Sequence, residues 1–223
     1  MIDIHHHGLF GVDDGAQTIE DSILMIDQAI ENNITDIILT PHYNVYFKNR
    51  DKIEENFETL KEKVKDKPIN LYLGYEARYN MNDSSFSDKR LNNTRFLLLE
   101  FSTRRPTDVE EISYTLSTQN IIPIIAHIER YHYLNKSSYY DIKSHSLIQV
   151  NADAILGKAF NKKDTKIARF LLKKRLVDFV ASDAHNTTDR RNDMLKAYQF
   201  VSKKYGTAYA DKIFRENAEK IIK

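Results

Sequence analysis

The chain has 223 residues, 41% hydrophobic and 29% charged, enough for one ordinary domain around a sizeable core. Lys and Arg number 33 against 32 Asp and Glu, a balance that argues against a nucleic-acid groove or a membrane-surface binder, which need a basic surplus. Cysteine is absent, so disulfides and thiolate nucleophiles are excluded and a cytoplasmic setting is expected; no apolar run is long enough to insert in a membrane, and the start lacks the pattern of a secretion signal.

The first apolar run, MIDIH (1–5), reads as a strand and leads into a loop containing Gly8, Gly11 and Gly15. TIED (18–21) has the form of a capping box, and Ile19, Ile23, Ile26 and Ile30 put one apolar stripe on the helix it opens. TDIILTPH (35–42) is the second strand. Ile53, Phe57, Leu60 and Val64 then line a helix whose charged remainder, within KNRDKIEENFETLKEKVKDK (48–67), is its solvated face. INLYLGYEA (69–77) and FLLLEFS (96–102) are the third and fourth strands. TDVE (107–110), just after Pro106, is a second capping box, and Val109, Ile112 and Leu116 line the helix that follows. IIPIIAHIE (121–129) is the fifth strand, and the tyrosine-rich YHYLNKSSYY (131–140) reads as a surface loop and helix start. LIQVNA (147–152) and VDFVASDAH (177–185) complete seven strands. Each strand is continuously apolar rather than alternating, as strands buried on both faces are, and helices intervene. The expectation is a single α/β domain over 1–223 with a parallel sheet and crossover helices.

Chemistry-bearing residues collect at the strand ends. The first ends in His5 and His7, the second in His42, the third in Glu76, the fourth in Glu100, the fifth in His127 and the seventh in Asp183 and His185; Asp14 sits in the loop after the first. The C-terminal ends of parallel strands converge on one rim, so these side chains are expected to meet. One buried histidine or carboxylate is ordinarily a satisfied structural group. Their recurrence is better explained by a shared metal cluster, because buried carboxylates are costly without a cation or partner. His5 and His7 share one side of a strand and His6 takes the other. Asp3 shares the side of His5 and His7 and is expected to orient one of them. The three consecutive histidines are therefore read as two ligands and a passenger, not as a purification tag, because a strand-like segment precedes them and matching donors follow far downstream. Nine donors exceed one ion's needs, so two or three metals are expected. Imidazole and carboxylate without thiolate suit Mn, Fe, Zn or Mg. His132 and His145 lie away from strand ends and are expected at the surface or in helix packing.

DIHHH, VDDG, TPH, GYE, LLLEFS, IAHIERY and ASDAHN together resemble, in order and over essentially the whole chain, the polymerase and histidinol phosphatase (PHP) domain. HIERY with SDAHN is most similar to the metal-dependent protein-tyrosine phosphatases of Gram-positive capsule and exopolysaccharide loci. His6 departs from the small residue common at its position. The resemblance implies a distorted seven-stranded (β/α) barrel, a TIM-like metal-dependent hydrolase with three metal ions, typically Mn2+. It places His5, His7, Glu76 and Asp183 on the first metal. Glu76, Glu100 and His127 would hold the second, and Asp14, His42 and His185 the third. Arg130 and Arg191 stand where the family binds phosphate, and the adjacent Arg190 is the alternative for the second. The implied substrate is the phosphorylated tyrosine tail of a bacterial tyrosine kinase, and the implied outcome is control of capsular polysaccharide synthesis. A small-molecule phosphatase such as histidinol phosphatase is the alternative enzyme, with nearly the same metal site. A non-enzymatic metal-binding scaffold and a phosphodiesterase fit the filled ligand set and the neutral charge less well. Without cysteine, a cysteinyl-phosphate mechanism is impossible.

Overall fold

The computed structural model describes residues 1–43, 52–80, 86 and 89–223, so the first part of the charged segment, 48–51, lies outside the described residues. Among them the strands are β1 (Ile2–His6), β2 (Asp36–Leu39), β3 (His42–Tyr43), β4 (Asn70–Leu73), β5 (Glu76–Arg78), β6 (Phe96–Glu100), β7 (Ile122–Ile125), β8 (Leu147–Asn151) and β9 (Phe179–Ala181). Every pairing is parallel. They form two sheets, β1-β2-β4 and β3-β5-β6-β7-β8-β9.

Seven expected strands become nine segments because two of them break. Pro41, which has no N–H to give a ladder, separates β2 from β3. Gly74 separates β4 from β5, and a Cβ there would come within 2.7 Å of Leu91 Cδ2. Past each break the chain pairs again in the second sheet, with His42 opposite Glu76. The break is what carries these two side chains to neighbouring positions on the rim.

The ring closes where β1 meets the end of β9. His6 bridges Ala184, His7 N donates to Ala184 O at 2.9 Å and Asp183 N donates to His5 O at 2.9 Å. Counting β2–β3 and β4–β5 as one stave each, the result is the distorted seven-stave barrel. Asp3 fastens this seam. Its carboxylate accepts from Ser182 N (3.0 Å), Ser182 Oγ (2.6 Å) and Asn192 Nδ2 (3.1 Å). It also accepts from His5 N at 3.4 Å, so Asp3 meets a histidine at the backbone as well as fastening the seam. The β1–β2 register slips between Asp3 and His6, three steps on β1 against two on β2. The bulge interrupts the strict two-residue alternation between Asp3 and the histidines.

Helices α1 (Ile19–Glu31), α2 (Ile53–Lys63), α3 (Val109–Thr118), α4 (Ser138–Lys143), α5 (Ala152–Leu156), α6 (Lys162–Lys173), α7 (Met194–Tyr205), α8 (Thr207–Asp211) and α9 (Glu219–Ile222) surround the barrel. The capping box at Thr18 and Asp21 is present. The second cap falls one residue later than expected: Asp108, not Thr107, accepts from Glu111 N at 3.0 Å. An aspartate is the better acceptor at that position. In α2 the whole expected stripe is buried, whereas α1 centres its stripe on Ser22, Met25, Ile26 and Ala29. Ile2, Ile4, Ile38, Leu98, Ile124 and Phe179 fill the barrel with Ala218 and Ile221. Ile37, Leu39, Leu97, Leu99, Ile148 and Val180 form the layer beneath the helices. Each such side chain contributes about 1.5–3 kcal/mol on burial, which holds the rim in place. Tyr131 is a correction to the surface-loop reading of 131–140: it is fully buried, and its hydroxyl accepts from Phe101 N at 2.9 Å.

Candidate metal centre

The donors from the strand ends meet on one rim. His5 and His7 face each other through their Nε2 atoms at 3.1 Å. His5 Nδ1 donates to Gln149 Oε1 at 3.3 Å and His7 Nδ1 to Asp13 Oδ2 at 2.7 Å. His185 Nδ1 donates to the Asp183 carbonyl at 2.9 Å. Each of these bonds fixes a tautomer and turns the Nε2 lone pair toward the cluster. Two lone pairs at 3.1 Å repel unless a proton or a cation lies between them, so the pair is built for a positive charge. His185 Nε2 is buried, has no hydrogen-bond partner among the described residues and lies 3.5 Å from Asp14 Oδ1, a second donor aimed at a cation.

Glu76 stands at the centre. Its Oε1 lies 2.8 Å from His127 Nε2 and 3.4 Å from His5 Nε2, and its Oε2 lies 2.7 Å from His42 Nδ1 and 3.5 Å from His7 Nε2. Asp183 Oδ1 is 3.5 Å from both His5 and His7. Glu100 Oε1 is 3.9 Å from His127 Nε2, and Asp14 Oδ1 is 3.3 Å from His42 Nε2. Among the described residues, three sets offer donor atoms all within 4.8 Å of one another: His5, His7 and Asp183; His42, Glu76 and Glu100; and His7, Asp14, His42 and His185. A purely nitrogen and oxygen donor set of this kind fits divalent ions of the Mn, Fe, Zn and Mg type.

The loop after β1 folds back to supply the aspartates. Gly15 makes this possible, since a Cβ there would lie 2.0 Å from His7 O, and Ala16 N donates to that same oxygen at 3.0 Å. His127 and Asp183 both leave their strands at positive φ, 32° and 52°. Such backbone is costly for residues with a side chain, by about 1–3 kcal/mol, and is held here by the packed rim.

The cluster is strongly polarised. Burial works against a charge on His5, yet Glu76 and Asp183 beside it hold its pKa at about 9. His42 is likewise held at about 11, against burial, chiefly by Glu76 and Asp14. Burial and the neighbouring His185 push His7 down to about 3, and burial with Arg130 pushes His127 down to about 4. Asp183 and Glu76 stay well below the carboxylate range in spite of burial, Asp183 through Arg130 and His5, Glu76 through His5 and His42. Burial and the charge on Glu76 raise Glu100 to about 7. The carboxylates therefore create a negative potential that draws positive charge into the site.

Arg130 Nη2 pairs with Asp183 Oδ2 at 2.8 Å at the edge of the cluster. The two adjacent arginines after β9 take different partners. Arg190 reaches Asp14 Oδ2 and Asp183 Oδ1, each at 3.5 Å, while Arg191 turns to Asp193. In an irregular loop no periodicity fixes which of two adjacent side chains faces inward.

Three further residues bear on the site. Asp13 accepts from His7 and also from His42 N (3.0 Å) and Gly15 N (2.9 Å). Gln149 Oε1 also accepts from His127 N at 2.7 Å, and its Nε2 donates to Asn151 Oδ1 at 2.7 Å; Asn151 Nδ2 donates in turn to Asp183 Oδ2 at 2.9 Å. The signal for these amides lay in the strand itself, where LIQVN places two polar residues two apart in an otherwise apolar run. His132, 30% exposed, pairs with Asp164 at 2.5 Å, away from the cluster as expected.

Comparison with known proteins selects among the hydrolases that share such rims. The family model for CpsB/CapC, capsular polysaccharide synthesis, matches residues 1–223. The chain is 33% identical to the tyrosine-protein phosphatase CpsB of Streptococcus agalactiae, across all of this chain and 98% of that protein. It is 31% identical to the tyrosine-protein phosphatase YwqE of Bacillus subtilis, across all of this chain and 92% of that protein. A crystal structure from work on YwqE of Bacillus subtilis and CpsB of Streptococcus pneumoniae, described as metal-dependent tyrosine phosphatases, superposes with a TM-score of 0.85 at 32% identity, covering 94% of this chain and 90% of that one. End-to-end likeness in sequence and fold places the chain in the CpsB/CapC family.

Proposed function

We propose that the chain is a metal-dependent protein-tyrosine phosphatase of capsular polysaccharide synthesis, a single PHP domain over 1–223. Its proposed substrate is the phosphorylated tyrosine tail of a bacterial tyrosine kinase. The observation that carries this reading is the convergence of three imidazole and carboxylate donor sets, edged by Arg130 and Arg190, in a chain related throughout its length to tyrosine phosphatases.

His5, His7, Glu76 and Asp183 would hold the first metal, Glu76, Glu100 and His127 the second, and Asp14, His42 and His185 the third. We assign Mn2+ as the ion. Bound divalent cations supply a nucleophile from water at neutral pH and offset the charge of a phosphate. The protein's own groups do the rest. Asp13 and Gln149 lock the ligand tautomers. Arg130 and Arg190 stand ready to take charge that grows on the phosphoryl oxygens in the transition state, a role in which prepositioned donors are most effective. A tyrosine phenolate, with a pKa of about 10, leaves with less help from a general acid than an alkoxide needs. The absence of cysteine fits a cytoplasmic protein, and no described helix is long and apolar enough to cross a membrane.

The test is metal-stripped protein assayed on a phosphotyrosyl peptide and on histidinol phosphate, with Mn2+ restored, beside a His5→Ala/His7→Ala variant. Peptide cleavage that returns with Mn2+ and is missing from the variant is the expected result. Cleavage of histidinol phosphate alone would reassign the enzyme to small-molecule metabolism.

A further inference from the structure

A metal cluster edged by arginines recognises a phosphate monoester whatever carries it, so the carrier must be read elsewhere on the rim. Phe160 is placed to do so. Its relative exposure is 107%, so the whole ring stands in water. An exposed ring on a loose end would mean little. Here both ends of the short loop are fastened. Gly157 closes α5 in the left-handed conformation, and Lys158 N donates to Asp153 O at 2.9 Å. Lys158 Nζ meets Asp193 Oδ2 at 2.5 Å, Ala159 packs on the core, and Asn161 caps α6 by accepting from Lys163 N at 2.9 Å. The loop joins α5, which follows β8, to α6, and so lies on the side of the barrel where the strands end. Its anchor, Asp193, also holds Arg191, the neighbour of the arginine that reaches Asp14 and Asp183. In the first turns of α6, just after the ring, Lys162 and Lys166 are exposed and form no ion pair among the described residues.

We propose that Phe160 determines substrate specificity by packing on an apolar or aromatic side chain of the segment that carries the phosphotyrosine, while Lys162 and Lys166 attract its negative charge. The inference rests on the phosphatase reading above. A phosphorylated tyrosine cluster supplies both partners within a few residues: rings to stack, and phosphates of nearly two negative charges each. Because the ring is fully exposed, its removal is expected to leave the fold and the donor cluster intact.

The experiment is steady-state kinetics of the Mn2+-loaded enzyme on a polypeptide with several phosphotyrosines and on p-nitrophenyl phosphate, for wild type, Phe160→Ala and Phe160→Tyr. Phe160→Ala is expected to raise the peptide KM about tenfold, the equivalent of about 1.4 kcal/mol. Its kcat and both constants for p-nitrophenyl phosphate stay at wild-type values, and Phe160→Tyr restores the peptide KM. An unchanged peptide KM in Phe160→Ala overturns the proposal. So does an equal loss on p-nitrophenyl phosphate, which would put the ring at the reacting group. Loss of binding to phosphatidylserine vesicles with an unchanged peptide KM would assign the ring to a membrane surface instead. Wild-type enzyme that cleaves p-nitrophenyl phosphate but not the peptide would refute the tyrosine phosphatase reading itself, and this inference with it.

Discussion

Asp13→Asn isolates the orientation of a single proposed ligand. The Asp13 carboxylate has donors on both sides: Gly15 N at Oδ1, and His7 Nδ1 with His42 N at Oδ2. Asparagine keeps one carbonyl oxygen, so one side must face an NH2 group. If that side is His7, its ring loses a charge-assisted hydrogen bond and is pushed toward the tautomer with a proton on Nε2, where a lone pair is needed. If it is Gly15, the loop carrying Asp14 loosens. A hydrogen bond to a charged group contributes about 1.5–3 kcal/mol, and at about 1.4 kcal/mol per decade that is roughly a 10- to 150-fold loss of metal affinity. Loss of other outer partners of metal-bound histidines costs about 10–100-fold. Competition with a chelating dye would measure Mn2+ affinity, and the Mn2+ dependence of p-nitrophenyl phosphate hydrolysis would report its effect. Activity should be recovered largely at saturating Mn2+. Wild-type affinity and wild-type metal dependence in the variant would refute the role given to Asp13.

The two adjacent arginines should separate cleanly: Arg190→Ala is expected to lower kcat/KM by about 10²-fold, in line with loss of one transition-state donor, and Arg191→Ala to change it less than about twofold. The reverse order would return the phosphate-binding role to Arg191. Glu129 is buried, with Oε1 accepting from Asn151 N at 2.9 Å and Oε2 without a hydrogen bond, and burial pushes its pKa up to about 8. A folded-state pKa above the unfolded value means that the native state holds the extra proton between about pH 4.5 and 8. Stability should therefore fall as pH rises through that window, by at most about 1.4 kcal/mol per pH unit. Glu129→Gln should remove this slope in urea unfolding at several pH values; an identical slope in both proteins would rule Glu129 out as its source.

The strands were legible because each is a short, continuously apolar run, the mark of burial on both faces, and the strand-end donors were legible because parallel strands share one rim. What escaped depends on single-residue geometry. The bulge between Asp3 and His6 carries no sequence signal of its own, and Asp3 bonds to Ser182 across the seam and to the backbone of His5. Of the two aspartates in VDDG, the fold of the Gly15 turn decides which meets His7 through its ring nitrogen. Tyr131 looked like part of a surface loop because its neighbours are polar. The short 3-10 turn at Ile128–Arg130 turns it inward onto Phe101. The choice between Arg190 and Arg191 rests on the path of an irregular loop. Phe160 is invisible to pattern reasoning, since an isolated apolar residue between helices reads as core.

The seam between β1 and the end of β9 has a consequence for the order of events in folding. Asp3 and Ser182, bonded across it, are 179 residues apart in the chain, and the proposed ligands His5, His7, Asp183 and His185 sit on its two lips. Contacts of such long separation form late, because much chain entropy must be surrendered before they gain anything. A chain still being synthesised can have every other stave in place and still lack the proposed metal centre, which would be complete only when the last stave docks. Ions held by the proposed ligands of both lips would act as a clasp on the open ring. Chelation should speed opening at this seam first, and hydrogen exchange at His7 and Asp183, whose amides cross it, would show the loss before the rest of the barrel does.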